Sequence, residues 1–359
     1  MTSASFPSPL ESLLIVRLGA MGDVIHTLYA VSALRAAFPE LRIGWTIEKP
    51  WAELLCAQGT DGCGPRSRLR PVVDCVHPLD TKGWRRSLAA PGTWKEMTSA
   101  FRAIRERHYQ VAADFQGAMK SAVVARLARA QLTIGMEDPR ERPSRLFYQR
   151  RVLALGTHVV EQYRLLAQAT GGTGLPFLRP EFPRDERAEA AIAKELGDLA
   201  GDLVILNPGA GWGAKQWPPE RYGVVAKVLA ADGMKPIINF SPAERDLALE
   251  VESASEGRAI PLASSIGELV ALTRRARLFI GGDTGPMHLA AALGVPVVAI
   301  FGPTDPARNG PYGTQSVVLR NPASRTSLSH TRGPDPGLGE ITAAEVIRAA
   351  RQLLEACRA

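Results

Sequence analysis

Eleven residues, Gly281, Gly282, Asp283, Thr284, Gly285, Pro286, Met287, His288, Leu289, Ala290 and Ala291, combine the residue types and spacing that phosphate binding uses. The apolar run Leu278-Phe279-Ile280 reads as a buried strand stopping at two glycines, and the apolar stretch from near Pro286 reads as a helix. A strand, a tight loop and a helix start present free backbone N–H groups and the positive end of a helix dipole. Both attract phosphate oxygens, and glycines let a ligand approach the main chain closely. The diphosphate of a nucleotide sugar would suit such a loop. An ordinary βα turn with Asp283 as helix cap is the alternative reading. Three further segments fall where strands end and loops begin: Met21-Gly22-Asp23, the stretch Asn207 to Pro218 with Lys215 inside it, and Phe301 to Pro306.

The elements that must position these residues follow from the apolar pattern. Leu13-Leu14-Ile15-Val16 is a buried-strand run, followed by a glycine turn and an apolar-periodic helix from Val24 to about Phe38. Ile43 to Ile47 and Val111 to Asp114 supply further strands, the latter ahead of a helix around Ser121 to Ala128. Strands and helices alternating in this way predict a parallel sheet covered on both faces. The Gly/Pro-rich stretch from Gly171 to Pro183 reads as a linker, and a second β/α series follows with Leu203 to Leu206, Pro236 to Phe240 and Val295 to Phe301 as strands. The expected organisation is an N-terminal Rossmann-like domain over 1–178, a second over 179–340, and a terminal helix over 341–359 that packs back across the junction. Ligands of open α/β sheets bind beyond the carboxyl ends of the strands, which places the site in a cleft between the two halves.

Composition narrows the classes. At 359 residues the chain can hold two full cores, and 45% hydrophobic with 22% charged residues is ordinary for a globular protein. No signal-peptide layout opens the chain and no long uncharged apolar run occurs, so a cytoplasmic protein is expected. Cys56, Cys63, Cys75 and Cys357 show no metal-site spacing and are read as reduced thiols. The net charge of +7 is concentrated in the first half, at Lys82, Arg85 and Arg86 and again at Arg140, Arg142, Arg145, Arg150 and Arg151. That half is expected to meet something anionic. A nicotinamide dehydrogenase would need G-x-G-x-x-G in the first turn, which is missing. Nucleic-acid binding lacks a reader motif and aromatic residues among the basic ones.

Six segments in order, LLIVRLGAMGDVIHT from Leu13, DFQGAMKSA from Asp114, SRLFYQRR from Ser144, KQWP from Lys215, GDTGPMHLAAAL from Gly282 and FGPTDP from Phe301, resemble the bacterial heptosyltransferases of glycosyltransferase family 9. The likeness spans nearly the whole chain and is strongest to the type I branch, through DFQGAMKSA and Lys82-Gly83-Trp84-Arg85-Arg86. It implies a GT-B fold, two Rossmann-like domains facing across a cleft, and an inverting transfer of heptose from ADP-heptose to the Kdo of a lipid A acceptor at the inner membrane surface. Neither a metal nor another cofactor is implied. Asp23 matches the family's general base, placed in a mobile glycine turn; a helix N-cap is its alternative. Lys215 matches the lysine that meets the leaving diphosphate, helped by the N–H groups of Thr284 and Gly285. Asp283 is matched to heptose hydroxyls, His288 to the diphosphate and Glu244 to the ribose, against a core histidine and a first-turn helix acid. Lys82, Arg85, Arg86 and Lys120 fall where the type I enzymes meet their acceptor. Gly19-Ala20 and the loop Ala210 to Ala214 lack the hydroxyl residues found in the closest members.

Overall fold

Runs that are apolar at every position, rather than alternating, require strands covered on both faces, and the C-terminal half shows how this works. In the strand Leu203–Asn207, Val204 and Leu206 enter one hydrophobic cluster while Leu203 and Ile205 enter another. The structure, a computed structural model, describes residues 7–171, 174–197, 202–327 and 335–357. It divides into two units, one ending at Arg184 and the other starting at Asp185. The linker expected at Gly171 to Pro183 thus precedes the division, although residues 172–173 lie outside those described.

The first unit holds strands β1 (Ser12–Val16), β2 (Arg42–Glu48), β3 (Cys75–Leu79), β4 (Val111–Asp114), β5 (Leu132–Met136) and β6 (Arg150–Val152) in one parallel sheet ordered β3-β2-β1-β4-β5-β6. Its helices are α1 (Met21–Ala37), α2 (Thr81–Arg86), α3 (Pro91–Arg105), α4 (Met119–Leu127) and α5 (Val159–Gly171). Leu14 and Val16 pack with Phe101 and Ile104 of α3 and with Val124 and Ala125 of α4.

The second unit repeats the plan. Strands β7 (Leu203–Asn207), β8 (Lys235–Phe240), β9 (Ile260–Ala263), β10 (Ala276–Gly282), β11 (Val297–Phe301) and β12 (Ser316–Arg320) form a parallel sheet ordered β12-β11-β10-β7-β8-β9. Helices α6 (Glu186–Leu196), α9 (Ile266–Thr273) and α10 (Gly285–Ala292) lie on one face. The other face carries α7 (Pro219–Ala231), α8 (Arg245–Ala254) and α13 (Ala343–Ala356), while α11 (Pro306–Asn309) and α12 (Pro336–Glu340) are short. The terminal helix α13, expected at the junction, packs on α7 and β10 to β12 of this unit, where Arg351 pairs with Asp232 at 2.8 Å. Between β12 and α12, residues 328–334 lie outside the described ones, and Asp335 caps α12 and accepts from Ser324 at 2.5 Å.

In both sheets the first and fourth strands of the unit are neighbours, β1 beside β4 and β7 beside β10, with the order running outward in opposite directions from that pair. Loops leaving such a pair diverge and open a crevice at their carboxyl ends.

The expectation of four free thiols is corrected. Cys63 and Cys75 are joined in a disulfide, while Cys56 and Cys357 are free. The loop ahead of β3 folds back on the strand and forms an antiparallel bridge, which brings the two Cα atoms to 4.1 Å despite a separation of twelve residues. Ligand atoms of Cys63, Cys75 and His77 all lie within 4.8 Å of one another.

Candidate active site

The chemistry-bearing residues sit at the two crevices. At the β1/β4 pair, β1 is followed by Arg17, whose guanidinium is 3% exposed. One nitrogen donates to the Phe115 carbonyl at 2.7 Å, the plane lies over the Tyr163 ring at 5.3 Å, and the other terminal nitrogen reaches Asp23 Oδ2 at 2.6 Å. Burial alone would lower this guanidinium's pKa, but the carboxylate of Asp23, with Tyr163 and Asp114 nearby, more than reverses that and raises it.

Asp23 was expected in a glycine turn. Instead it lies within the first turn of α1, because the helix already begins at Met21. Its Oδ2 also accepts the Ala20 N–H at 3.2 Å, so the carboxylate satisfies one of the open donors of the helix start. Oδ1 has no hydrogen bond among the described residues, and the side chain is 37% exposed. One oxygen is fixed and the other is presented outward.

Asp114 closes β4 beside Val16. Fully buried, it accepts from Gln116 N–H, Gly117 N–H, the Ser121 hydroxyl and the Tyr148 hydroxyl. Burial raises its pKa, against the pull of those four donors. It shapes the turn into α4, the segment of DFQGAMKSA. Lys120 on α4 is exposed and lies 3.5 Å from Glu48, which also accepts from the Thr81 N–H at 3.2 Å and from the Thr81 hydroxyl. Glu48 therefore joins Lys120 to the first turn of α2. That helix is capped by Asp80, anchored by buried Trp84, and leaves Lys82, Arg85 and Arg86 exposed. Four of the predicted acceptor-side cations thus belong to one neighbourhood built on β2, α2 and α4.

At the β7/β10 pair, Asn207 ends β7, accepts from Asn239 at 2.7 Å and donates to the Gly209 carbonyl at 3.2 Å, fixing the turn that leads to Lys215. Lys215 ends a short 3-10 turn, Gly213–Lys215, with its ammonium 4.5 Å from the centre of the Trp212 ring. A side chain at Gly282 would crowd this loop, since a Cβ there would stand 3.2 Å from the Lys215 carbonyl. The Lys215 ammonium donates to the Asp283 carbonyl at 3.1 Å and to Asp283 Oδ2 at 2.5 Å. His288 Nε2 lies 3.1 Å from Asp283 Oδ1. Burial would raise the Asp283 pKa; the hydrogen bond and charge of His288, with those of Lys215, override it and hold this carboxyl well below the usual carboxylate range.

Asp283 is therefore not the cap of α10. Thr284 occupies that position without a side-chain cap, and helix geometry leaves the N–H of Gly285 open at the helix start. His288 is buried, but through a polar contact and not only by packing. Glu244 closes a 3-10 turn, where Oε2 accepts from the Ser241 N–H at 2.9 Å and the Ser241 hydroxyl at 2.7 Å. Its other oxygen overlies the Gly209 turn, so closely that a Cβ on Gly209 would fall 2.1 Å from it. The helix-acid reading of Glu244 holds for one oxygen, while the second faces the Lys215 loop.

Sequence reasoning missed Arg17, Asp114 and Glu48. The available signal was a charged residue at the carboxyl end of a buried strand run, where crevices form.

Two Rossmann-like units, each with a charged crevice, define a GT-B glycosyltransferase. Residues 97–333 match the profile of glycosyltransferase family 9 (heptosyltransferase), and the chain belongs to that family. It is 30% identical to lipopolysaccharide heptosyltransferase 1 of Pseudomonas aeruginosa, over 86% of this chain and 83% of that one, and 30% identical to the Escherichia coli K12 protein of the same name, over 86% and 93%. Among solved structures, E. coli heptosyltransferase WaaC with ADP superposes with a TM-score of 0.76 at 26% identity, covering 95% of this chain and 99% of that one.

Proposed function

We propose that this glycosyltransferase moves heptose from ADP-L-glycero-D-manno-heptose to the Kdo of a lipid A-Kdo acceptor in lipopolysaccharide inner-core synthesis, by an inverting, metal-independent mechanism. The observation that carries the reading is the Lys215 ammonium, held by Asp283 beside the open start of α10. The WaaC structures with ADP and with ADP-2-deoxy-2-fluoro heptose support a nucleotide-heptose donor. The type 1 enzymes among the relatives support the Kdo acceptor over later core positions.

In this reading Asp23 Oδ1 accepts the proton of the acceptor hydroxyl as its oxygen attacks the anomeric carbon from the face opposite the leaving group. The glycosidic C–O bond forms, the anomeric C–O bond to phosphate breaks, and ADP departs with the electron pair. Charge growing on the diphosphate is met by Lys215, His288 and the N–H groups of Thr284 and Gly285. Glu244 takes the ribose hydroxyls with the oxygen facing the Gly209 turn, and Asp283 takes heptose hydroxyls. Lys82, Arg85, Arg86 and Lys120 receive the acceptor's carboxylate and phosphates. The enzyme works in the cytoplasm, at the inner face of the membrane that displays its acceptor.

The test is product analysis after incubation with ADP-heptose and a Kdo-bearing acceptor, with EDTA present throughout. Formation of a heptosyl product whose anomeric configuration is inverted relative to the donor is expected. Transfer to a heptose-bearing acceptor alone would move the enzyme to a later core position, and a rate that only added Mg²⁺ restores would overturn the metal-independent mechanism.

A further inference from the structure

The second basic cluster, Arg140 to Arg151, has no part in the chemistry above. It lies on the β5/β6 side of the N-terminal sheet, where the 3-10 turn Arg142–Phe147 and the edge strand β6 meet. One carboxylate ties the two together: Glu137, just beyond β5, pairs with Arg145 through Oε1 and with Arg151 through Oε2 at 3.3 Å.

Three leucines gather around this node. Leu146, next to Arg145, is 88% exposed. Leu153, the first residue after β6, is 64% exposed, and Leu155 is 70% exposed. Isolated surface leucines need no explanation, but these are the three barest large aliphatic side chains in the described chain and they share one short rim. Arg140, Arg142 and Arg150 are exposed beside them. From Glu137 to Arg151 five arginines face three acids, Glu137, Asp138 and Glu141. Glu137 is taken by two of the arginines, and Glu141 turns to the Met119 N–H at 2.8 Å. The stretch carries a net positive charge. Among the described residues no helix is long and apolar enough to cross a membrane, so any contact with lipid must be made at the surface.

We propose that this rim is a membrane-contact surface that takes an anionic lipid bilayer. Leu146, Leu153 and Leu155 enter the boundary between headgroups and acyl chains, and the arginines meet lipid phosphates. Projecting aliphatic side chains without a groove suit a deformable phase better than a rigid partner, and the charge pattern selects anionic headgroups. The turn is joined to the acceptor side of the same unit, since Ser144 donates to the Gly117 carbonyl at 3.2 Å next to the start of α4. Lipid contact here would hold that crevice close to the bilayer. Vesicle binding needs no sugar donor, so its outcome is independent of the heptosyl-transfer reading.

The experiment is co-sedimentation of the full chain with vesicles of phosphatidylethanolamine and phosphatidylglycerol, against vesicles of phosphatidylcholine alone. Binding to the anionic vesicles, weakened by salt, is expected. Leu146→Glu, Leu153→Glu and Leu155→Glu combined should cut the partition coefficient at least tenfold, with melting temperature and ADP binding retained. Arg142→Ala with Arg150→Ala, which leaves the leucines in place, should lower anionic binding severalfold and leave the weak binding to phosphatidylcholine unchanged. Equal binding to both vesicle types, no binding, or undiminished binding by both variants would overturn the proposal. So would a dimeric wild type that the triple leucine variant renders monomeric, which would assign the rim to a second copy of the chain.

Discussion

The two crevices use the same pair of charges with the roles exchanged. At β1/β4 the cation is fixed: Arg17 is buried among a carbonyl, an aromatic ring and neighbouring carboxylates, and the acid it holds, Asp23, stands half out in solvent with one oxygen unbound. At β7/β10 the acid is fixed: Asp283 is 7% exposed with one partner on each carboxylate oxygen, and the group it holds is the Lys215 ammonium. A buried arginine makes a good anchor because it stays charged in any surroundings. A carboxylate gripped by an ammonium and an imidazole is an equally good anchor, since its pKa is held well below the usual carboxylate range. Under the proposed function the difference assigns each unit what it offers its ligand: a base for a hydroxyl in the first, a cation for a diphosphate in the second.

The largest effect should come from the presented acid. Asp23→Ala should reduce kcat by roughly a hundredfold or more, the usual size of a general-base contribution, while calorimetric affinity for ADP stays within about twofold. Turnover near wild type at saturating substrates would break the comparison at its first half. Lys215→Ala should weaken ADP binding and slow transfer together, each by roughly ten- to a hundredfold, in keeping with one charge-assisted hydrogen bond strengthened as the diphosphate gains charge. Unchanged ADP affinity would mean that the ammonium serves Asp283 rather than the ligand.

Asp283→Asn sharpens the second half through pH. Because the folded-state pKa of Asp283 is depressed, its contribution to stability is complete above the unfolded value of about 4 and is lost as pH falls below it toward the folded value. The variant should lose about 1–3 kcal/mol at pH 7 and show a shallower decline of stability below about pH 4 in acid denaturation. An unchanged acid limb would place the anchoring elsewhere. The smallest effect belongs to the exposed cations. Arg85→Ala with Arg86→Ala should raise acceptor KM severalfold and leave donor KM alone, and added salt should mimic it, since exposed charges are screened over about 8 Å at physiological ionic strength. A loss of donor affinity instead would remove the acceptor role from α2.

Fully buried strands were the legible part of this fold. Leu13 to Val16 and Leu203 to Leu206 admit no other reading, because nothing polar interrupts them, and the loops after them had to carry the chemistry. Asp23, Lys215, Asp283 and His288 were singled out for that reason, and each stands in a segment that follows β1, β7 or β10. The anchors were not. Arg17 looks like a surface residue until the Phe115 carbonyl and the Tyr163 ring, about 100 and 150 residues away, close over it. The Asp283 carboxylate reads as a helix cap from its neighbours, and only the return of the Lys215 loop past Gly282 gives it a stronger partner. The start of α1 was placed too late because Gly22 is a poor helix former and Ala20 offers no side-chain cap, whereas the Asp23 carboxylate reaching back to the Ala20 N–H supports the helix from Met21. The Cys63–Cys75 pairing depends on a loop folding over a strand edge, for which no periodicity exists.

The repeated strand order has a bearing on inheritance. Each crevice is assembled from one unit's own first and fourth strands and the loops that leave them. Under the proposed function a descendant gene can therefore rewrite the helix of Lys82, Arg85 and Arg86, and with it the choice of acceptor, while leaving Lys215, Asp283 and His288 of the other unit untouched. Diversification of such an enzyme is a matter of editing one half while copying the other.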